Sequence, residues 1–112
     1  MNVTGRQRKK HPPKHRDVLG KIQSCLESGR YLDTRHASKR RVERVISLPE
    51  VLHVLRNGFH EKRKDKYEEL YKAWSYSIRG KTVDNRRLRI VVSFESETGM
   101  LIITAVDLDA DD

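Results

Sequence analysis

The stretch that decides the fold lies near the middle of the chain, at Ser47-Leu48-Pro49-Glu50. It matches a capping box, in which the serine and glutamate side chains each bond a backbone N–H at the start of a helix. Proline is favoured in the first turn, where its missing N–H costs little. Gly58 is a typical helix end. The pattern predicts a helix between Ser47 and Gly58 whose buried stripe contains Val51, Leu52, Val54 and Leu55.

Two further helices are predicted before this one. Asp17 is a plausible N-cap, apolar residues follow it at helical spacing, and Gly29 is a good helix stop, which predicts a helix over residues 18–28. Residues 31–34 form a short extended link. Asp33 or Thr34 then caps a second helix over residues 35–45.

This second helix is strongly basic, with one histidine and five cationic side chains within residues 35–44. At about 100° per residue, His36, Arg40 and Arg44 fall on one face, one turn apart. The apolar residues Val42, Val45 and Ile46 fall on the other face. An imidazole beside guanidinium groups suits the binding of a phosphate backbone, and it also offers a group for cleaving one. The sequence supports anion binding more firmly than cleavage.

Strand patterns follow Gly58. A strand begins at Phe59, and two later segments alternate apolar and polar residues, at 74–79 and 88–94. Residues 100–106 are apolar on both faces, which is typical of a central or covered strand. The predicted fold class is therefore α+β, with N-terminal helices packed on a three- to four-stranded antiparallel sheet. We expect one domain over residues 17–112, preceded by a disordered basic tail at residues 1–16, which has no core pattern.

Charge indicates the kind of partner. The net charge is +8 at pH 7, and the segment between the basic tail and the acidic residues 107–112 is itself net positive. A basic body favours a polyanionic partner such as RNA or DNA, and the alternative is an ordinary solvated surface. No apolar run approaches the ~20 residues that cross a bilayer, so we expect no membrane partner. The single cysteine, Cys25, fits a reducing cytoplasm and a role in core packing.

Two stretches carry a family resemblance. The first is His36-Ala37-x-x-Arg40-x-x-Glu43-Arg44-x-Ile46-Ser47, followed by Glu50-Val51 and Leu55-x-x-Gly58. The second consists of Trp74-x-Tyr76-x-Ile78-x-Gly80, Leu88 to Val92 and Leu101 to Thr104. Their order and spacing resemble the domain of unknown function 4258 family over about residues 34–108. Arg41 departs from the pattern, because the family often has an apolar residue there.

The resemblance implies a helix-then-sheet layout that is similar to small bacterial toxins of the RelE and BrnT type, many of which are RNases. Metal-independent RNA cleavage needs a base, an acid and cations that stabilise charge on phosphorus. The candidate catalytic residues are His36, Arg40 and Arg44. The candidate nucleic-acid-binding residues are Arg35, Lys39, Arg41, Arg79 and Lys81. For each of them a structural role is the alternative: the histidine caps the helix, and the cations form a solvated face.

We therefore expect a small RNA-interacting protein of toxin type, located in the cytoplasm and without a metal or cofactor. Two roles stay open for it: a metal-independent endoribonuclease, or a non-enzymatic module that binds nucleic acid or protein. A third hypothesis is that the partner is an acidic antitoxin protein that masks the basic face. The sequence does not specify the oligomeric state.

Overall fold

The computed structural model describes residues 11–110, which form an α+β fold. The helices are α1 (Val18–Ser28), α2 (Arg35–Arg44) and α3 (Leu48–Asn57). The strands are β1 (Tyr31–Asp33), β2 (Phe59–His60), β3 (Lys66–Glu68), β4 (Ala73–Lys81), β5 (Arg87–Glu95) and β6 (Gly99–Asp107), and a 3-10 turn at Lys62–Lys64 lies between β2 and β3. None of the three helices is both long enough and apolar enough to span a bilayer.

The helices begin and end close to where the sequence predicts. The Asp17 side chain accepts a backbone hydrogen bond at the start of α1, and Gly29 ends this helix with a left-handed φ of 72°. Thr34 caps α2 in the same way. Both hydrogen bonds of the capping box that joins Ser47 and Glu50 are present at the start of α3. These predictions are confirmed because each depends on neighbours in the sequence.

The sheet is larger and less regular than predicted. Its order is β1-β6-β5-β4-β2, and β3 also pairs with β4. Strand β1 is parallel to β6, with Tyr31 opposite Met100, whereas the other pairs are antiparallel. The sheet was predicted to have three or four strands, all antiparallel, and to follow the helices; it has six strands, and the extended link predicted at residues 31–34 contributes a parallel strand between α1 and α2. Strands β1, β2 and β3 have only two or three residues each, too few for alternation to be visible in the sequence.

The core lies on one face of the sheet. Helices α1 and α3 contact each other, and α3 also contacts β4 and β5. Full burial of a large aliphatic side chain contributes about 1.5–3 kcal/mol, so these contacts supply much of the stability. The fully buried side chains are Ile22, Val51, Val54, Leu55, Ile78, Leu88, Ile90, Val92, Met100 and Ile102.

A β-bulge interrupts the pairing of β5 with β6. Val91 lies opposite Thr104, and the next residue, Val92, lies opposite Ile102. Ile103 therefore has no partner on β5. Because Val92 and Ile102 belong to the core, alternation along both strands directs Ser93 and its partner Leu101 to the other face of the sheet.

Helix α2 protects the outer edge of β6 beyond the short strand β1. The carbonyl oxygen of Ile102 accepts hydrogen bonds from the backbone N–H of Thr34 at 3.4 Å and from its hydroxyl at 2.8 Å. Further along, the carbonyl oxygen of Ala105 accepts a hydrogen bond from Arg44 Nη1 at 2.7 Å. A free strand edge invites pairing with other chains, and these contacts occupy it.

Residues 11–15, here named the N-terminal strap, lie against β4. The indole N–H of Trp74 donates to the carbonyl oxygen of Pro12 at 2.7 Å, and the backbone N–H of His15 donates to the Tyr76 hydroxyl at 3.0 Å. The strap belongs to the segment 1–16, for which a disordered tail was predicted. Residues 1–10 of that segment lie outside the described residues.

Candidate functional site

The first half of α2 carries exposed cationic side chains. The side chains of Arg35, Lys39 and Arg40 are exposed, and they make no hydrogen bond or ion pair with any other residue between 11 and 110. His36, on the same half of the helix, is also exposed. The helix therefore presents an imidazole and three uncompensated cations to solvent.

Arg41 has a different environment from its neighbours on α2. Its side chain is buried, donates to the Asp33 carboxylate and donates to the carbonyl oxygen of Ile46 at 3.1 Å. The guanidinium that was predicted to bind nucleic acid is thus held inside the protein. Because Ala37 and Arg41 form the inward stripe of α2, Val42 and Val45 are 73% and 79% exposed, contrary to the apolar face predicted for them.

Arg44 is separated from His36. Its guanidinium donates to Ala105 on the edge of β6, and it lies beside a hollow that is also lined by Val106 and Asp107. His36 lines another cavity, two turns of helix away. The three residues predicted to be catalytic share a helix, but the structure does not bring them to one cavity.

The cavity beside His36 is a cleft of about 310 Å³ between the start of α2 and the sheet. Its walls are mainly apolar, and two of its residues, Ser93 and Leu101, point away from the core. Pockets for small ligands typically begin at about this volume. The main lining residues are His36, Tyr71, Phe94, Glu95, Leu101 and Ile103.

The two predicted contacts on β4 lie elsewhere. Arg79 is half-buried and makes an ion pair of 3.4 Å with Glu61, which also accepts a hydrogen bond of 2.8 Å from Arg89. Lys81 is exposed at the end of β4. Since β5 separates β4 from β6, these cations are about 10 Å across the sheet from the strand that α2 covers.

A second polar cluster surrounds Asp65, whose side chain is only 1% exposed. Its carboxylate accepts hydrogen bonds from Lys14 Nζ at 2.7 Å, from His60 Nε2 at 2.8 Å and from the backbone N–H of Ser77 at 3.2 Å. This cluster was not predicted, because Asp65 lies within the highly charged run of residues 62–66, which has no apolar pattern. The recognisable signal was a single acid among the cations of residues 62–66.

Aromatic contacts also hold the strap against the sheet. His11 stacks on Tyr67 with ring centroids 3.9 Å apart, and His15 lies edge-on to Phe94 at 5.1 Å. Burial lowers the pKa of His15, and the charge of Lys21 adds to this effect. The imidazole is therefore neutral near pH 7, in keeping with its contact to an apolar ring.

The comparisons with known proteins identify a family but no function. The model of a domain of unknown function, DUF4258, matches residues 34–107. No curated protein and no solved structure matches the chain. The matched segment runs from the N-cap of α2 to the last residue of β6, and it includes His36 and most of its cleft. The chain therefore belongs to the DUF4258 family.

Proposed function

We propose that this protein binds RNA and that the exposed face of α2 is its binding surface. The observation that supports the proposal is the group of three exposed cations, Arg35, Lys39 and Arg40, which have no acidic partner among the described residues. They lie on the same half of α2 as His36, which lines the cleft. Guanidinium groups donate to phosphate oxygens in a planar, bidentate geometry, and a lysine adds a point charge. A cleft on the same helix can accept an unpaired base while the cations bind the phosphates of the RNA backbone.

The distribution of ion pairs favours α2 over most of the basic surface. Many other arginines already have acidic partners: Arg79 and Arg89 bind Glu61, Arg86 binds Glu50 and Asp107, and Arg87 binds Asp109. Binding a phosphate at these positions would require breaking an existing ion pair. Binding a phosphate at the α2 cations breaks no ion pair among the described residues.

The 3-10 turn is the strongest competing surface, because Lys62, Arg63 and Lys64 are also exposed. This turn lies between β2 and β3, at the opposite edge of the sheet from β1. No cavity with an exposed histidine adjoins it among the main cavities of the described chain. It therefore serves as a control with the same number of cations.

The test compares two triple charge reversals that change the net charge equally. One variant carries Arg35→Glu, Lys39→Glu and Arg40→Glu, and the other carries Lys62→Glu, Arg63→Glu and Lys64→Glu. The affinity for a short labelled single-stranded RNA is measured by fluorescence anisotropy over a range of salt concentrations. Each phosphate contact contributes about 0.7 to the slope of log affinity against log salt, so the α2 variant should lose a slope of about 2.

The control variant separates a binding surface from general charge attraction. The turn variant should keep most of the affinity and most of the slope. Equal losses in the two variants would show that total charge alone attracts RNA and would overturn the assignment to α2. Circular dichroism of both variants establishes that the fold is retained.

A second candidate function is metal-independent endoribonuclease activity, favoured by the exposure of His36 on the cleft wall. In this reaction the imidazole accepts the proton of a 2′-hydroxyl, and the 2′-oxygen forms a bond to phosphorus. The bond from phosphorus to the 5′-oxygen breaks, and that oxygen takes a proton from water. Arg40, one turn from His36, is the group that would stabilise the charge on the phosphoryl oxygens.

The catalytic proposal is tested with total RNA in the presence of a chelator. A general base contributes about 10²–10⁴ in rate, so His36→Ala should reduce cleavage at least hundredfold while His53→Ala, on α3, leaves it unchanged. A 2′-deoxy substitution at the cleaved nucleotide should also stop the reaction. Cleavage that survives His36→Ala would remove the enzymatic proposal but leave the binding proposal intact.

Expression in a bacterial host tests the toxin role directly. Growth arrest that is relieved by His36→Ala would support a toxic ribonuclease, whereas the absence of any arrest would favour the binding module. An acidic antitoxin protein would compete with RNA for α2. Arg40→Glu should release such a partner during purification.

A further inference from the structure

We propose that the cleft beside His36 is a binding site for one unpaired guanine base of a single-stranded RNA. This inference rests on the proposed RNA binding by α2 and adds the identity of the base that is recognised. It is drawn from three features: the size of the cleft, the exposed cations that adjoin two of its lining residues in the chain, and the hydrogen-bonding groups in its lining.

The size and lining of the cleft suit a flat, partly apolar ligand. Its volume of about 310 Å³ lies at the small end of ligand pockets, which suits one base better than a base pair. Tyr71 is exposed and offers a ring on which a base can stack. Leu101 and Ile103 supply the apolar floor on the sheet. Bases that are recognised in this way must be unstacked, which selects single-stranded RNA.

Exposed cations adjoin two of the lining residues in the chain. The residue before His36 is Arg35, and the residue after Tyr71 is Lys72, so two lining residues each have an exposed cation as their neighbour in the chain. A base that enters the cleft carries a phosphate on either side. Cations contributed by two separate segments can therefore hold both phosphates while the base is inside.

The polar groups of the lining determine which base is accepted. The hydroxyl of Thr34 donates to the carbonyl oxygen of Ile102 at 2.8 Å, and the hydroxyl of Ser93 donates to that of Trp74 at 2.8 Å. The hydroxyls of Thr34 and Ser93 have therefore already used their single hydrogens within the protein. The Glu95 carboxylate is an acceptor that retains capacity: one of its oxygens accepts a hydrogen bond from Thr98 at 2.6 Å, and a carboxylate has about four acceptor positions.

A carboxylate selects guanine among the four RNA bases. Guanine presents two adjacent donors, the N1–H and the 2-amino group, which the two oxygens of one carboxylate can accept side by side. On the corresponding edges of adenine, cytosine and uracil, each donor is next to an acceptor, which a carboxylate repels. A good bidentate contact discriminates against the wrong base by about ten- to hundredfold.

The experiment measures anisotropy with short labelled RNAs that are identical except at one central position, which is guanine, adenine, cytosine, uracil or inosine. Inosine keeps the N1–H but lacks the 2-amino group. Wild-type protein should bind the guanine RNA about ten- to hundredfold more tightly than the adenine RNA, with inosine between them. Glu95→Gln should abolish this preference.

Three variants make the test specific. Glu97→Gln removes a charge from the same turn, outside the cleft, and should keep the preference for guanine. Tyr71→Ala should weaken binding of every base about tenfold, whereas Tyr71→Phe should retain it, because stacking needs the ring and not the hydroxyl. The substitutions at Glu97 and Tyr71 change exposed side chains, so the fold is expected to persist.

The outcomes distinguish the two proposals. If all five RNAs bind equally and the α2 charge reversal still weakens them, the guanine site is overturned and RNA binding by α2 stands. A preference for another base, or a guanine preference that persists in Glu95→Gln, also overturns the site. If no RNA binds the wild-type protein, the proposed function itself fails.

Discussion

His60 and Asp65 form a buried pair, in which Nε2 of the imidazole lies 2.8 Å from one carboxylate oxygen and 3.0 Å from the other. The imidazole side chain is 9% exposed and the carboxylate 1%. The same carboxylate accepts hydrogen bonds from Lys14 of the strap and from the backbone N–H of Ser77 on β4. A single acid therefore joins the strap, the end of β2 and β4.

We expect Asp65→Ala to lower the free energy of unfolding by about 3–5 kcal/mol, because it leaves an ammonium, an imidazole and a backbone N–H without their acceptor. Urea denaturation measures the loss. The control is Glu27→Ala, which removes an exposed acid from α1 and should change stability by less than about 0.5 kcal/mol. Similar small effects in both variants would show that Asp65 does not hold these segments together.

The fluorescence of Trp74 should report whether the strap is docked. Trp74 is the one tryptophan of the chain, its indole N–H bonds Pro12, and Lys14 Nζ lies 5.3 Å from the centre of its ring. Lys14→Ala removes the ion pair with Asp65, so the strap should separate more often and Trp74 should meet more water. The emission should shift to longer wavelength and acrylamide should quench it more strongly.

A lysine far from the strap provides the control for this experiment. Lys39→Ala changes an exposed side chain of α2 and should leave the emission unchanged. If Lys14→Ala also leaves emission and quenching at the wild-type values, the Lys14 ion pair is not needed for docking of the strap.

Replacing Val45 with glycine should stabilise the protein by about 1 kcal/mol. Val45 follows the last residue of α2 with φ at 54°, a left-handed conformation that costs a residue with a Cβ about 1–2 kcal/mol and costs glycine almost nothing. Its side chain is 79% exposed, so little packing is lost. Val42→Gly is the matched control, since it removes an exposed valine from the interior of α2 and should destabilise by about 0.3–0.5 kcal/mol. Thermal denaturation of the two variants should therefore give shifts of opposite sign.

Glu61 should contribute stability that disappears in acid. The hydrogen bond from Arg89 lowers the pKa of Glu61 below its ordinary value, and the charges of Arg89 and Arg79 act in the same direction, while burial opposes them. A carboxylate whose pKa is lower in the folded state stabilises the fold above its unfolded pKa, and this contribution is lost as the pH falls through the folded pKa.

The variant Glu61→Gln should therefore be about 1–3 kcal/mol less stable than wild type near neutral pH. The difference in the free energy of unfolding should shrink as the pH falls below about 4. Urea unfolding at a series of pH values gives the two curves. Glu97→Gln, at an exposed acid, should follow the wild-type curve throughout. A constant difference between Glu61→Gln and wild type at all pH values would contradict the role assigned to this charge.

The helices could be predicted because their signals are local. Asp17, Ser47 and Glu50 are within four residues of the N–H groups that they bind, so the sequence alone shows the caps. Strand β1 has no such signal, since it has three residues and its partner lies on β6, near the other end of the domain. Pairing over such a distance is determined by tertiary packing.

The orientation of α2 shows the limit of apolar patterns. Val42, Val45 and Ile46 were predicted to form one apolar face, but of these three only Ile46 is buried, and Ala37 and Arg41 are the buried residues within the helix. An arginine can be buried when an acid such as Asp33 neutralises it, and the spacing of apolar residues does not reveal that partner. The sequence did contain one signal, because Arg41 stands at a position where the family often has an apolar residue.

The candidate site was predictable only in part. His36 could be singled out because it stands beside cations on a predicted helix. The cleft could not be foreseen, because Tyr71 and Glu95 reach it from segments far from α2 in the chain. Which segments of the chain meet at the cleft depends on the order of the strands in the sheet.

The parallel pairing of β1 with β6 constrains when the protein can reach its native state during translation. Residues 31–33 emerge from the ribosome well before their partners at 100–102 have been synthesised. Until β6 has been synthesised, β1 has no strand to pair with, and unpaired strands are prone to aggregate. A premature stop codon before residue 100 would therefore leave β1 without its partner strand, even if all three helices formed.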